Sequence, residues 1–169
     1  MTAPLLGPEP LAAHHDTSAF DCGVSALNSF LARFALVNQD SGAARTYVAL
    51  RGARVVGYYS LAAASVEPDR TAPRVAKGLA RHAIPLTLLA RLAVDRSEQR
   101  AGLGEALLKD AIKRHLQAQA IIGSRALLAH AKDEWAAAFY RRYGFQPSPS
   151  DPLHLYLLTR DMKNALGVR

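Results

Sequence analysis

The chain has 169 residues, 50% of them hydrophobic and 21% charged, a composition that supports one ordinary core and excludes disordered and collagen-like classes. Its single cysteine, Cys22, excludes a disulfide framework and a multi-cysteine zinc site, and one reduced thiol suits the cytoplasm. The net charge is +7, and much of the excess lies in Arg70, Arg74, Lys77, Arg81, Arg91, Arg96 and Arg100, opposed over that stretch only by Asp95 and Glu98, a field that attracts nucleic acid or nucleotide cofactors.

No run approaches the roughly 20 apolar residues of a membrane span, and residues 1–10 lack the basic and apolar regions of a secretory signal. These ten residues hold three prolines and read as an arm or edge segment. Leu27, Phe30, Leu31, Phe34 and Ala35 recur at helical spacing, and Asn38 to Gly42 end that helix. Thr46–Leu50 and Val55–Leu61 read as strands joined by a turn at Arg51–Arg54. Residues 67–84 carry two prolines, a glycine and four basic residues, and read as a mobile basic loop with room for a short helix. Pro85–Val94 is an apolar run of strand length, central in a sheet.

Leu103, Leu107, Leu108, Ala111, Ile112 and Leu116 form one helical stripe, and Ala126–Ala131 is a short buried strand. A second helix runs from Asp133 to Tyr143, with acidic residues at its start, Arg141 and Arg142 at its end, and Gly144 stopping it. Leu153–Leu158 closes the sheet. The order describes a single-domain mixed α/β sheet with helices packed on it.

Chemistry concentrates at Leu92–Gly104. A buried strand ends at Val94, a polar loop follows, and Gln99-x-x-Gly102-x-Gly104 opens a helix. Glycines there bring backbone N–H groups close to a ligand, and the helix N-terminus favours a diphosphate. A Gly-x-Gly before a helix reads equally well as a tight turn, and Tyr140 in Phe139–Phe145 reads equally well as a core tyrosine.

Together these segments resemble the GNAT N-acetyltransferases. Their acyl-CoA loop is matched by Gln99, Gly102 and Gly104, their Tyr-x-x-x-Gly-Phe by Tyr140, Gly144 and Phe145, and the strand that pairs with the pantetheine arm by Leu92, Ala93 and Val94. The resemblance implies a GNAT acyl-CoA N-acyltransferase fold, with a mixed, mostly antiparallel sheet and helices on both faces. It also implies an acetyl-CoA site spanning Leu92, Ala93, Val94, Gln99, Arg100, Ala101, Gly102, Leu103, Gly104, Glu105 and Asp133, with Tyr140 as the catalytic acid and no metal.

A narrower resemblance spans almost the whole chain. Phe20–Leu31, Val56–Leu61, Leu89–Asp95 and Ala137–Phe145 look like the GNAT toxins of type II toxin–antitoxin systems. That implies acetylation of the α-amino group of aminoacyl-tRNA, blocked translation, a homodimer and a ribbon-helix-helix antitoxin. The alternative is a GNAT enzyme acting on a protein N-terminus, a lysine or a small amine.

The residues bear on that choice. A lysine amine titrates near 10.4 and usually needs a base, whereas an α-amino group titrates near 8. Residues 84–94 contain no Asp or Glu, which favours the aminoacyl ester; His82, Glu67 and Asp69 remain possible bases. Arg33, Arg74, Lys77, Arg81 and Arg91 are the candidate tRNA contacts, and Arg96 and Arg100 lie nearer the CoA loop. The six histidines show no ligand spacing, Cys22 reads as a small buried residue, and Trp135 reads as packing.

Overall fold

The computed structural model describes residues 2–167. In chain order its elements are β1 (Leu5–Pro10), α1 (Ser25–Ser29), a π-helical turn (Phe30–Phe34), α2 (Ala35–Asp40), β2 (Arg45–Arg51) and β3 (Arg54–Val66). There follow α3 (Pro73–Ala76), β4 (Ile84–Val94), α4 (Leu103–Gln119), β5 (Ala126–His130), α5 (Glu134–Arg142), β6 (Gln146–Pro147), β7 (His154–Leu158) and α6 (Met162–Ala165). Single 3₁₀ turns lie at Pro68–Arg70, Arg96–Glu98 and Thr159–Asp161. The seven strands form one mixed sheet, ordered β1-β2-β3-β4-β5-β7-β6. The pairs β1·β2, β2·β3, β5·β7 and β6·β7 are antiparallel, and β4·β5 is parallel.

The chain forms two compact units. The first comprises residues 1–62 and 90–111, and the second residues 63–89 and 112–169. In the first unit, Phe30, Leu31 and Ala35 pack with Val48, Leu50, Val55 and Tyr58. Tyr58 donates its hydroxyl to the Leu27 carbonyl at 2.8 Å, fixing α1 to β3. On the other face Tyr59 donates to the Asp110 carboxylate of α4. Strand periodicity sends Tyr58 and Tyr59 to opposite faces, so helices cover both sides of this part of the sheet.

In the second unit, Val75, Ile84, Leu86, Ala126, Leu128, Tyr156 and Leu158 form the core. His115, fully buried on α4, lies 2.9 Å from Thr87 Oγ1 and 3.1 Å from Thr159 Oγ1. Thr159 spends its own hydroxyl proton on the carbonyls of Ser124 and Arg125. It therefore accepts from His115 Nε2–H, which leaves Nδ1 as acceptor for Thr87. Burial lowers the His115 pKa to about 4, so the ring is neutral and each ring nitrogen is satisfied.

The predicted elements are present, with local departures. Phe34 falls off the predicted apolar stripe and is 53% exposed, because the π-helical turn advances the chain by a smaller angle per residue than an α-helix. Trp135, read as packing, is 84% exposed in the first turn of α5; the buried positions of that helix are Ala137 and Tyr140, on its other side. Cys22, read as buried, is half-buried in a turn. The second strand continues five residues past Leu61, to Val66. The basic loop 67–84 contains a 3₁₀ turn and the short helix α3.

Candidate acyl-CoA site

The site in the first unit begins where β4 ends. The parallel ladder of β4 with β5 covers Thr87 to Leu89, whereas β4 itself runs on to Val94. At its end the Asp95 N–H donates to the Val56 carbonyl at 2.8 Å, tying the strand terminus to β3. Asp95 is 5% exposed. Its carboxylate accepts from Ser97 N–H (3.0 Å), Ser97 Oγ–H (2.6 Å) and Asp21 N–H (2.8 Å). Burial pushes the Asp95 pKa up, but those donors outweigh it and hold the group below the usual carboxylate range. The result is a charged cap that closes the 3₁₀ turn Arg96–Glu98.

The next residues are fixed from two sides. Arg51 forks the Glu98 carboxylate at 2.8 and 3.2 Å and also donates to the Ala3 carbonyl at 2.8 Å. That hydrogen bond from Arg51 lowers the Glu98 pKa. Gln99 turns its amide inward, donating to Val94 O at 2.9 Å and Cys22 O at 3.1 Å.

Arg100 and Gly102 then take positive φ, 65° and 89°, a left-handed excursion that glycine adopts without strain. A Cβ on Gly102 would meet nothing within 4 Å, so the loop is open on that side. The Ala106 N–H bonds back to Gly102 O at 3.1 Å. The N–H groups before it have no acceptor within the helix, and they carry the positive end of the α4 dipole.

Val94 ends β4, Gln99, Arg100, Ala101 and Gly102 form the loop, and Leu103, Gly104 and Glu105 make the first turn of α4. Gln99 braces the loop through its bonds to two backbone carbonyls. Leu103 is buried against Gly57 of β3, with a Cβ on that glycine falling 3.0 Å from Leu103 Cδ2. Asp21, Asn28 and Asp95 were given no role by sequence reasoning. The Asp-x-Gly turn ahead of a helix was a local signal, but nothing in the sequence pairs Asp21 with residues more than 70 positions later.

In the second unit Tyr140 lies on α5, 7% exposed, with the rings of Phe139 and Phe145 each 5.3 Å away. Burial pushes its hydroxyl pKa up. Asp133 caps the same helix, accepting from Ala136 N–H at 2.8 Å. Tyr143, the C-cap of α5, is half-buried against Phe139. Of the basic candidates, Lys77 and Arg81 are exposed, while Arg74 pairs with Asp161 (3.0 Å) and Gln146 (3.2 Å). In the first unit Arg33 is exposed, and the Arg91 guanidinium stacks 3.6 Å from the Phe30 ring centroid. No group of three or more His, Cys, Asp or Glu side chains among the described residues could hold a metal ion. No described helix is long and apolar enough to cross a membrane.

A glycine loop opening a helix, held from behind by a capped turn at the end of a sheet strand, presents backbone N–H groups suited to an anionic group such as a diphosphate. Residues 42–147 match the acetyltransferase (GNAT) domain, and the chain belongs to that family. It is similar to the tRNA-acetylating toxin of Mycobacterium tuberculosis, with 43% identity over 160 residues covering 95% of this chain and 96% of that protein. Among solved structures it resembles AtaT complexed with acetyl-methionyl-tRNAfMet, with TM-score 0.86, 29% identity and coverage of 95% and 97% of the two chains. It also resembles a Tyr-to-Phe mutant of the AtaT toxin bound to the C-terminus of the antitoxin AtaR and acetyl-CoA, with TM-score 0.79, 30% identity and 97% coverage of both chains.

Proposed function

We propose that this acetyltransferase moves an acetyl group from acetyl-CoA to the α-amino group of aminoacyl-tRNA and thereby acts as a translation-blocking toxin. The observation that carries the reading is near-full-length 43% identity to a tRNA-acetylating toxin, joined to an intact acyl-CoA loop. AtaT, the structural neighbour, is bound to acetyl-methionyl-tRNAfMet, to the antitoxin AtaR and to acetyl-CoA. By the same analogy the chain takes an antitoxin partner; the resemblance of its sequence to the GNAT toxins adds that this antitoxin is of ribbon-helix-helix type and that the chain works as a homodimer in the cytoplasm.

Residues 99–105 fit the cosubstrate. The open side of Gly102 leaves room for a diphosphate, and the N–H groups at the start of α4 point their positive end at it. The backbone of Leu92, Ala93 and Val94, beyond the β5 ladder, is the strand edge for the pantetheine amides. Acetyl-CoA supplies the acetyl group as an activated thioester.

Tyr140 holds a proton on its hydroxyl oxygen for the departing sulfur. Its buried site keeps that proton in place at neutral pH. No carboxylate stands on β4, which suits an amine that arrives largely neutral, as an α-amino ester does. Exposed Arg33, Lys77 and Arg81, with Arg74 and Arg91, supply cationic surface for the tRNA phosphates.

The test is incubation with labelled acetyl-CoA and matched samples of charged and deacylated tRNA. Label should enter only the charged sample and be released with the amino acid on mild alkaline hydrolysis. Label in both samples, or in neither, overturns the reading.

A further inference from the structure

The segment Phe20–Leu31 stands out in the sequence, yet the acetyl-transfer reading gives it no task. We infer that Asp21, Gly23 and Asn28 form a positioning latch for the acyl-CoA loop, an inference that rests on the acetyl-CoA reading above. They act through Asp95, Arg96 and Gln99.

The latch is closed on itself. Asp21 Oδ1 accepts from Gly23 N–H at 2.9 Å and from Asn28 Nδ2–H at 3.0 Å. Asn28 returns the bond, its Oδ1 accepting from Cys22 N–H at 2.9 Å. Asparagine is the side chain that can do both, because its amide carries a donor and an acceptor on one planar group. Gly23 sits at φ +90° to make the turn, and a Cβ there would lie 3.4 Å from the Arg96 guanidinium. The hydrogen bonds to Asp21 hold its carboxyl below the usual range, the one from Gly23 contributing most.

The closed turn is docked on the segment that leads into α4. Asp21 N–H donates to the Asp95 carboxylate at 2.8 Å, and Arg96 N–H donates to Asp21 O at 2.9 Å. The Arg96 guanidinium stands 3.7 Å from Asp21 Oδ2. Cys22 O accepts from Gln99 at 3.1 Å, the same amide that holds Val94 O. Three anchor points, at 95, 96 and 99, are thus set by a two-residue stretch of backbone, Asp21–Cys22. Open loops of this kind lose geometry readily unless a supporting layer locks them. Freeing the latch lets residues 99–102 sample other conformations, and the ordering cost then falls on acetyl-CoA binding.

The experiment measures CoA and acetyl-CoA affinity by calorimetry, with melting temperature, for wild type, Asn28→Ala, Gly23→Ala and Asp21→Asn. Asn28→Ala and Gly23→Ala should each raise Kd by about tenfold or more. In steady-state assays KM for acetyl-CoA should rise well beyond any change in kcat. Asp21→Asn keeps an oxygen acceptor for both donors and should stay within about threefold of wild type.

A segment that merely stabilises the fold would lower the melting temperature and leave Kd of the folded protein unchanged; that result overturns the latch while acetyl-CoA binding stands. Absence of CoA binding by the wild type overturns both. Should Asn28→Ala not fold, Gly23→Ala, which removes no side chain, decides alone.

Discussion

Gln99 donates its side-chain amide to the Val94 carbonyl at 2.9 Å, so the residue that opens the glycine motif faces the strand it follows. The motif glutamine is a brace across the turn. Gln99→Glu keeps the shape but removes both donors and sets a carboxylate against two carbonyl oxygens. The expected outcome is roughly a tenfold or greater rise in Kd for acetyl-CoA, read by calorimetry, with little change in melting temperature because the side chain is exposed.

Gly102→Glu tests the loop itself. Nothing lies within 4 Å of a Cβ at this position, but φ is +89°, so the fold should lose only about 1–2 kcal/mol. The new carboxylate would stand at the diphosphate position and oppose its charge. Acetyl-CoA binding should disappear from the calorimetric trace while circular dichroism stays native. Wild-type affinity in this variant would remove the loop from the cofactor site.

Tyr140→Phe separates chemistry from packing. The ring remains between Phe139 and Phe145, and one oxygen is lost. Turnover should drop about 10²–10⁴-fold with acetyl-CoA affinity and melting temperature preserved. Tyr143→Phe, at the C-cap, is the internal control and should retain activity. Equal behaviour of the two variants would send the search for the acid to another residue.

Much of this was legible in the sequence because it is written in local periodicity and short motifs. The stripe from Leu103 to Ile112 predicted α4, and all five apolar positions up to Ile112 are buried. The order of β4, glycine loop and α4 followed from an apolar run, a polar break and Gly102. What escaped was non-local or a departure from ideal geometry. The π-helical turn that exposes Phe34 leaves no mark in a pattern of apolar residues. The exposure of Trp135 depends on which side of α5 meets the sheet, where Ala137 and Tyr140 took the buried places. The docking of Asp21 on Asp95 and the buried His115 between Thr87 and Thr159 are pairings of residues distant in sequence, and no local spacing announces them.

The electrostatic reading predicts a salt-sensitive reaction. Arg33→Glu and Arg81→Glu alter exposed cations and should raise KM for charged tRNA while leaving acetyl-CoA affinity as in wild type. Wild-type activity should fall steeply with added salt, because contacts to phosphates release counterions and added salt makes that release less favourable. The effect of Arg74→Glu should include a stability loss, since that side chain also holds Asp161.

The pH dependence of stability should carry the signature of His115. Its folded pKa is depressed to about 4 from 6.5, so the unfolded chain takes up the proton first. Its contribution is complete above about pH 6.5 and is lost as pH falls toward 4, on the order of 3 kcal/mol in total. Urea midpoints measured from pH 7 to 4.5 should fall in the wild type. They should fall less steeply in His115→Gln, which cannot titrate; identical slopes would show that the ring is not the group responsible.

Mass spectrometry of charged tRNA from cells expressing the chain identifies the acceptor directly. N-acetylated aminoacyl-adenosine should appear after nuclease digestion and be absent from cells expressing Tyr140→Phe. Unmodified aminoacyl-tRNA alongside acetylated lysines, protein N-termini or a small amine would contradict an aminoacyl-tRNA acceptor.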